Sequence, residues 1–114
     1  MADCLFCKIA AGEIPAEKVK EADDWVAFRD ISPQAPTHVL IIPREHIATI
    51  NELEPGHAEL VGKLFLAAQQ IAAEEGIAEP GYRAVVNCNA QAGQAVFHIH
   101  VHLLGGREMG WPPG

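Results

Sequence analysis

The segment Gly93 to Gly106, GQAVFHIHVHLLGG, constrains this chain more than any other. Within it His98, His100 and His102 alternate with Ile99, Val101 and Leu103. Successive side chains of a β-strand point to opposite faces. Alternation over six residues therefore predicts a strand with three imidazoles on one face and branched apolar residues packed on a core from the other. Same-face neighbours sit roughly 6.5–7 Å apart, so one ring does not easily bond the next, yet three rings can line one phosphate-sized site. Gly105-Gly106 ends the strand, and Gly93 precedes it where backbone N–H groups can approach an anion closely.

A chain of 114 residues is long enough for one domain, 1–114, with a core that needs no disulfide staples. The net charge is −7, and the eight basic residues are scattered singly. A nucleic acid polymer needs a basic patch, so none is expected as a partner. A mononucleotide stays open, because backbone amides and imidazoles can hold its one phosphate. No apolar run reaches the length of a membrane helix and the N-terminus lacks a basic-then-apolar leader, so no membrane partner is expected. Cys4, Cys7 and Cys88 are an odd number, which points to a reduced, cytoplasmic setting.

Along the chain, Cys4 to Ala11 reads as one or two helical turns closed by Gly12. Val19–Glu21 and Trp25–Arg29 read as a hairpin around Ala22-Asp23-Asp24, and Asp30–Pro36 as a loop. In Thr37–Ile42, His38, Leu40 and Ile42 share one face while Val39 and Ile41 share the other, the pattern of a central strand. Pro55–Glu75 is the long helix: Leu60, Leu64, Ala68 and Ala72 recur every four residues, flanked by Val61, Phe65 and Ile71. Tyr82–Asn87 reads as a strand and Cys88–Gln94 as a polar loop. The tail Trp111-Pro112-Pro113-Gly114 cannot pair inside a sheet, and its Trp is expected to dock on something. The sum is α+β, with a mainly antiparallel sheet of at least five strands, one long helix and one short one.

Three imidazoles on one face offer a nucleophile, an acid and an anion holder, but alternate histidines on a strand are also metal ligands. Spacing alone does not choose between phosphate and metal chemistry. For His38 a hydrogen-bonded core role weighs equally with a relay role, Asp30 reads first as an Asx turn into Ser32-Pro33, and His57 reads as exposed.

His98-Ile99-His100-Val101-His102-Leu103-Leu104 resembles the motif of the histidine triad superfamily: His, apolar, His, apolar, His, two apolars. The resemblance is closest to its nucleotide-binding, purine nucleoside phosphoramidase branch. It extends through Asp30–His38, Gly81-Tyr82-Arg83, Val86-Asn87, Gly93-Gln94, Leu104–Arg107 and the terminal Trp-Pro-Pro-Gly. The third triad position is His102 rather than Gln, which fits hydrolases better than nucleotidyltransferases.

The resemblance implies a homodimer whose two five-stranded sheets join into one of ten strands, each subunit binding a purine nucleoside monophosphate. It implies that His100 attacks the α-phosphorus of an adenosine or guanosine 5′-phosphoramidate, forming a nucleotidyl-histidine that water then hydrolyses. His102 would hold or protonate phosphate oxygens, His38 would complete a relay, and Gly93, Gln94 and Ala95 would cradle the phosphate. Asp30 and Ile31 carry over to ribose and base, Phe28 to the base, and Asn87 to the ribose and ester oxygen. No cofactor is needed for that chemistry. Ala95 departs from a Ser common in this branch, so a leaving-group contact is lost and slower turnover is expected. Some bacterial relatives hold structural zinc with a C-x-x-C pair and two histidines, which match Cys4, Cys7, His46 and His98. In that arrangement His98 scaffolds His100 rather than transferring protons. Against zinc stands a pair of packed or redox thiols. The tail would tune leaving-group choice near a dimer-related site. The competing functions are a nucleotide-binding regulator with incidental hydrolysis and a dinucleoside polyphosphate hydrolase.

Overall fold

The computed structural model describes residues 3–114. Five antiparallel strands form one sheet, ordered β1-β2-β3-β5-β4. They are β1 (Lys18–Glu21), β2 (Trp25–Arg29), β3 (Thr37–Pro43), β4 (Tyr82–Val85) and β5 (Val101–Gly105). The helices are α1 (Leu5–Ala10), α2 (Ala58–Glu74) and α3 (Asn89–Ala92). No helix among the described residues is long and apolar enough to cross a membrane.

Strand β3 is buried along its whole length and lies between β2 and β5, as its two apolar faces require. Val39 and Ile41 face a core built with Leu64, Ala67, Ala68, Ile71 and Ala72 of α2. Leu40 and Ile42 face a second core with Val26, Phe28, and Phe6 and Ile9 of α1. The sheet therefore sits between α2 and α1. Leu40 pairs with His102, which puts that imidazole on the α1 side, while Val101 and Leu103 join the α2 core.

Several expectations change. The long helix begins as a 3-10 turn, Pro55–His57, and becomes α-helical at Ala58. The stripe of Leu64, Ala68, Ile71 and Ala72 is buried as expected and also takes in Ala67, whereas Phe65, expected to flank it, is exposed. Strand β4 stops at Val85, which leaves Asn87 in the following loop. The polar loop contains α3, a single helical turn ended by Gly93 in the left-handed region (φ 83°). Trp111 is 83% exposed; the tail is tethered where Arg83 donates to the Gly110 carbonyl at 2.8 Å.

The largest correction concerns the triad. Only His102 lies within β5; His98, Ile99 and His100 precede the strand, outside its pairing with β3, and run beside the 44–49 segment. There Ile99 N–H donates to the Ile47 carbonyl at 2.8 Å. Alternation of faces survives, since Ile99 joins the α2 core while His98 and His100 contact Phe6 of α1, but the backbone's hydrogen-bond partner is a loop.

Gly105 sits where β5 passes Ile77 just beyond α2. A Cβ built there meets Ile77 Cδ1 at 2.6 Å and Ile77 Cβ at 3.0 Å. Ile77 is buried, so Gly105→Ala is expected to destabilise the fold by about 1–3 kcal/mol, in the range for overpacking. Gly110→Ala, with open space around it, should change little. Urea melts of both variants check this, and a Gly105→Ala midpoint equal to wild type contradicts it.

Candidate active site

Four imidazoles gather on the α1 side of the sheet, and their hydrogen bonds determine which nitrogen carries each proton. The amide of Gln34 donates to His38 Nδ1 at 3.0 Å, so a neutral His38 must carry its proton on Nε2. That nitrogen lies 3.0 Å from His102 Nδ1 and 3.5 Å from the Asp30 carboxylate. His102 Nδ1 is then the acceptor, and His102 holds its own proton on Nε2. His100 Nδ1 lies 2.7 Å from the carbonyl of His98, which can only accept. A neutral His100 therefore leaves Nε2 as a bare lone pair. His98 Nε2 donates to the Pro43 carbonyl at 2.7 Å, which leaves its Nδ1 bare toward the cysteines.

The environment keeps these rings neutral. Burial pulls the pKa of His38 and of His100 below the ordinary imidazole value, and the Asp30 carboxylate opposes it only in part. His102 is pulled down to about 4, by burial first and then by the neighbouring His100 and His38 rings. Phe6 packs edge-on against His100 with ring centroids 5.0 Å apart, which supplies much of that apolar surrounding. The His100 and His102 rings are 4.8 Å apart. One ring thus offers an electron pair beside a second that offers a proton.

Next to them a cleft of 380 Å³ runs between α1 and the end of β2. Phe28, Asp30 and Ile31 line it, as do Leu5, Phe6, Ile9, Leu40 and Val96. The apolar wall that Leu5, Phe6 and Ile9 of α1 give the cleft has no counterpart in the sequence reading, where Cys4 to Ala11 are helical turns without an assigned face. Phe28 is buried against Phe6 (centroids 5.5 Å) and Ile31 is 99% exposed on the rim. Asp30 makes the Asx turn expected of it, one carboxylate oxygen accepting from Ser32 N–H at 2.7 Å, while the other faces His38, a contact the sequence did not indicate.

Two of the amides expected to cradle a phosphate are already committed within the chain. The amides of Gly93 and Gln94 are engaged with the carbonyls of Ala90 and Asn89, closing the α3 turn. The side chain of Gln94, 6% exposed, accepts from Asn89 N–H and donates to the carbonyls of Ala48 and Val96. Gln94 thus positions the loop, and Ala95 and Val96 are the part of it that borders Leu5 and His46. Asn87 is half-buried in the loop after β4. His57, expected exposed, is partly buried: it accepts from Glu54 N–H and pairs with Glu45 at 3.0 Å.

Cys4, Cys7, His46 and His98, far apart in sequence, come together with one donor atom from each within 4.8 Å of the others. His98 Nδ1 lies 3.4 Å from Cys4 Sγ and 3.6 Å from Cys7 Sγ, and His46 Nδ1 lies 3.3 Å from Cys7 Sγ. Two thiols and two imidazole nitrogens match the donor set and number of a tetrahedral zinc site. The Pro43 carbonyl already orients His98 as a metal-ligating imidazole needs.

A family model for the HIT domain matches residues 11–109. The chain belongs to the HIT domain family. It is 51% identical over 108 residues to the purine nucleoside phosphoramidase of Escherichia coli (strain K12), covering 95% of this chain and 91% of that one. It is 47% identical over 112 residues to adenylylsulfatase HINT1 of Arabidopsis thaliana, covering 96% and 76%. The crystal structure of a HIT family hydrolase from Legionella pneumophila Philadelphia 1 matches with a TM-score of 0.97 at 58% identity, covering 98% of this chain and 100% of that one. This HIT protein is thus a family hydrolase, and the family match begins after Cys4 and Cys7.

Because His38 and His102 are held neutral in the fold, the unfolded chain binds protons before the folded one as pH falls below 6.5. Stability therefore rises with pH across this window and is lost between 6.5 and about 4. Thermal melts from pH 7.5 to 4.5 should show a falling midpoint that steepens below 6.5, reduced in His102→Asn. A flat profile down to pH 5 contradicts the neutral assignment.

Proposed function

We propose that this HIT hydrolase cleaves purine nucleoside 5′-phosphoramidates through a covalent intermediate on His100. The observation that carries the reading is the bare Nε2 of His100, produced by the 2.7 Å bond from its Nδ1 to the His98 carbonyl. In the first step the Nε2 lone pair bonds to the α-phosphorus while the P–N bond to the amine breaks. The amine leaves with a proton from water, and the Nδ1–H of His100 stays on the carbonyl that accepts it. Water then attacks phosphorus and releases a proton to solvent that replaces the one the amine took, the P–His100 bond breaks with its electron pair returning to Nε2, and the nucleoside monophosphate departs. His102 donates to phosphate oxygens, and His38 with Asp30 holds His102 in the required tautomer. Backbone amides at Ala95 and Val96 meet the charge that develops on phosphorus oxygens. Asp30 accepts the ribose hydroxyls, Asn87 contacts the ester oxygen, and Phe28 with Ile31 faces the base. The relative from Escherichia coli supports the substrate class.

On this reading residues 1–114 act as one histidine triad unit in the reducing cytoplasm, and two copies pair through β4. That strand is an open sheet edge, and the exposed Tyr82, Phe65 and Leu66 give a second copy apolar area to cover. Cys4, Cys7, His46 and His98 hold a structural zinc, which when bound fastens α1 to the His98 segment; the chemistry at phosphorus needs no metal.

Adenosine and guanosine 5′-phosphoramidates should be hydrolysed by the wild-type protein. His100→Ala should lose about 10³-fold or more in rate. Intact-mass analysis with a slow analogue should show the nucleotide on His100. Turnover unchanged in His100→Ala, or the adduct on another side chain, contradicts the mechanism. Adenylylsulfate and dinucleoside polyphosphates in the same assay test the competing hydrolase substrates; binding of adenosine monophosphate without turnover of any of them would favour the regulator.

Protein purified without added zinc should carry about one equivalent per chain and lose it in Cys7→Ser. Less than about a tenth of an equivalent in wild type overturns the zinc assignment.

A further inference from the structure

The cleft beside the histidines is walled by aliphatic and aromatic side chains, which grip a purine by shape and dispersion. Such a wall treats adenine and guanine alike. Apart from Asp30, its charged lining side chains are Glu17 and Arg29. Arg29 is committed elsewhere: its two terminal nitrogens donate to the Glu75 carboxylate at 2.8 and 3.0 Å. Glu17 is different. Its carbonyl accepts from Arg29 N–H at 2.9 Å, which pins its backbone to the cleft. Its side chain is 77% exposed and meets Arg29 Nε only at 3.5 Å, longer than a strong charge-assisted bond. An exposed pair of that length holds weakly, so the carboxylate is able to turn inward.

We propose that Glu17 reads the edge of the base and makes the cleft prefer guanine over adenine. This rests on the reading of the cleft as a nucleotide site. Guanine presents N1–H and N2–H₂ side by side, two donors that match the two oxygens of a carboxylate. Adenine places a single donor, N6–H₂, beside the N1 lone pair, which a carboxylate repels. Hypoxanthine keeps N1–H and lacks the amino group at C2, so it falls between. Because the contact is made at a solvated rim, the discrimination is modest, about five- to tenfold, well short of what a fully buried polar reader achieves.

The test is equilibrium titration of the full chain with GMP, IMP and AMP, for wild type, Glu17→Gln and Glu17→Ala. GMP should bind wild type about five- to tenfold tighter than AMP, with IMP between, and both variants should bring the ratio close to one. The exposed position of Glu17 predicts unchanged melts for both variants. A wild-type ratio within about twofold, or a ratio that survives Glu17→Gln, overturns the assignment. Turnover is scored apart: a guanine preference without phosphoramidate hydrolysis keeps Glu17 as the base reader and removes the phosphoramidase reading. Failure to bind any of the three nucleotides removes both.

Discussion

The hydrogen bond from His100 Nδ1 to the carbonyl of His98 is the constraint on which the rest depends. A peptide carbonyl cannot give up a proton, so it dictates the tautomer of the ring it holds. The carbonyl in turn is held by what surrounds residue 98: its side chain bonds the Pro43 carbonyl and reaches the thiols of α1, and the next amide bonds Ile47. The chain leaves the sheet at this point, which frees the His98 carbonyl from a ladder partner and makes it available to an imidazole two residues on.

Burial and hydrogen bonding act in opposite senses here and both are needed. Removing imidazoles from water disfavours their charged form, which keeps lone pairs available near neutral pH. Fixed donors and acceptors then decide where the remaining proton sits. Gln34 N–H performs this for His38, and His38 passes the same information to His102. The cost is acid sensitivity of the fold, because unfolding lets those rings take up protons. An enzyme of this kind trades stability below pH 6.5 for neutral imidazoles at working pH.

Much of the architecture was legible because it rests on periodicity. The α2 stripe, the two apolar faces of β3, the hairpin of β1 and β2 and a mainly antiparallel sheet of at least five strands follow from spacing and turn residues. The pairing of His98 and His100 was not legible, since alternation reports which way side chains point and is silent on what the backbone bonds. Gln94 was read as a ligand contact, yet its amide faces Asn89, Ala48 and Val96; a glutamine's partners are set by loops that spacing does not describe. The apolar wall contributed by Leu5, Phe6 and Ile9 was hidden for a similar reason. A short amphipathic helix shows that it packs, but the tertiary fold decides that it also borders a cleft.

The claim at the centre is a tautomer, so the most direct measurement is one that sees ring protons. Long-range ¹H–¹⁵N NMR correlation of the histidine rings at pH 7 should find His100 neutral with its proton on Nδ1, and His38, His98 and His102 neutral with theirs on Nε2. A His100 ring that is protonated on both nitrogens at that pH, or that carries its single proton on Nε2, contradicts the account.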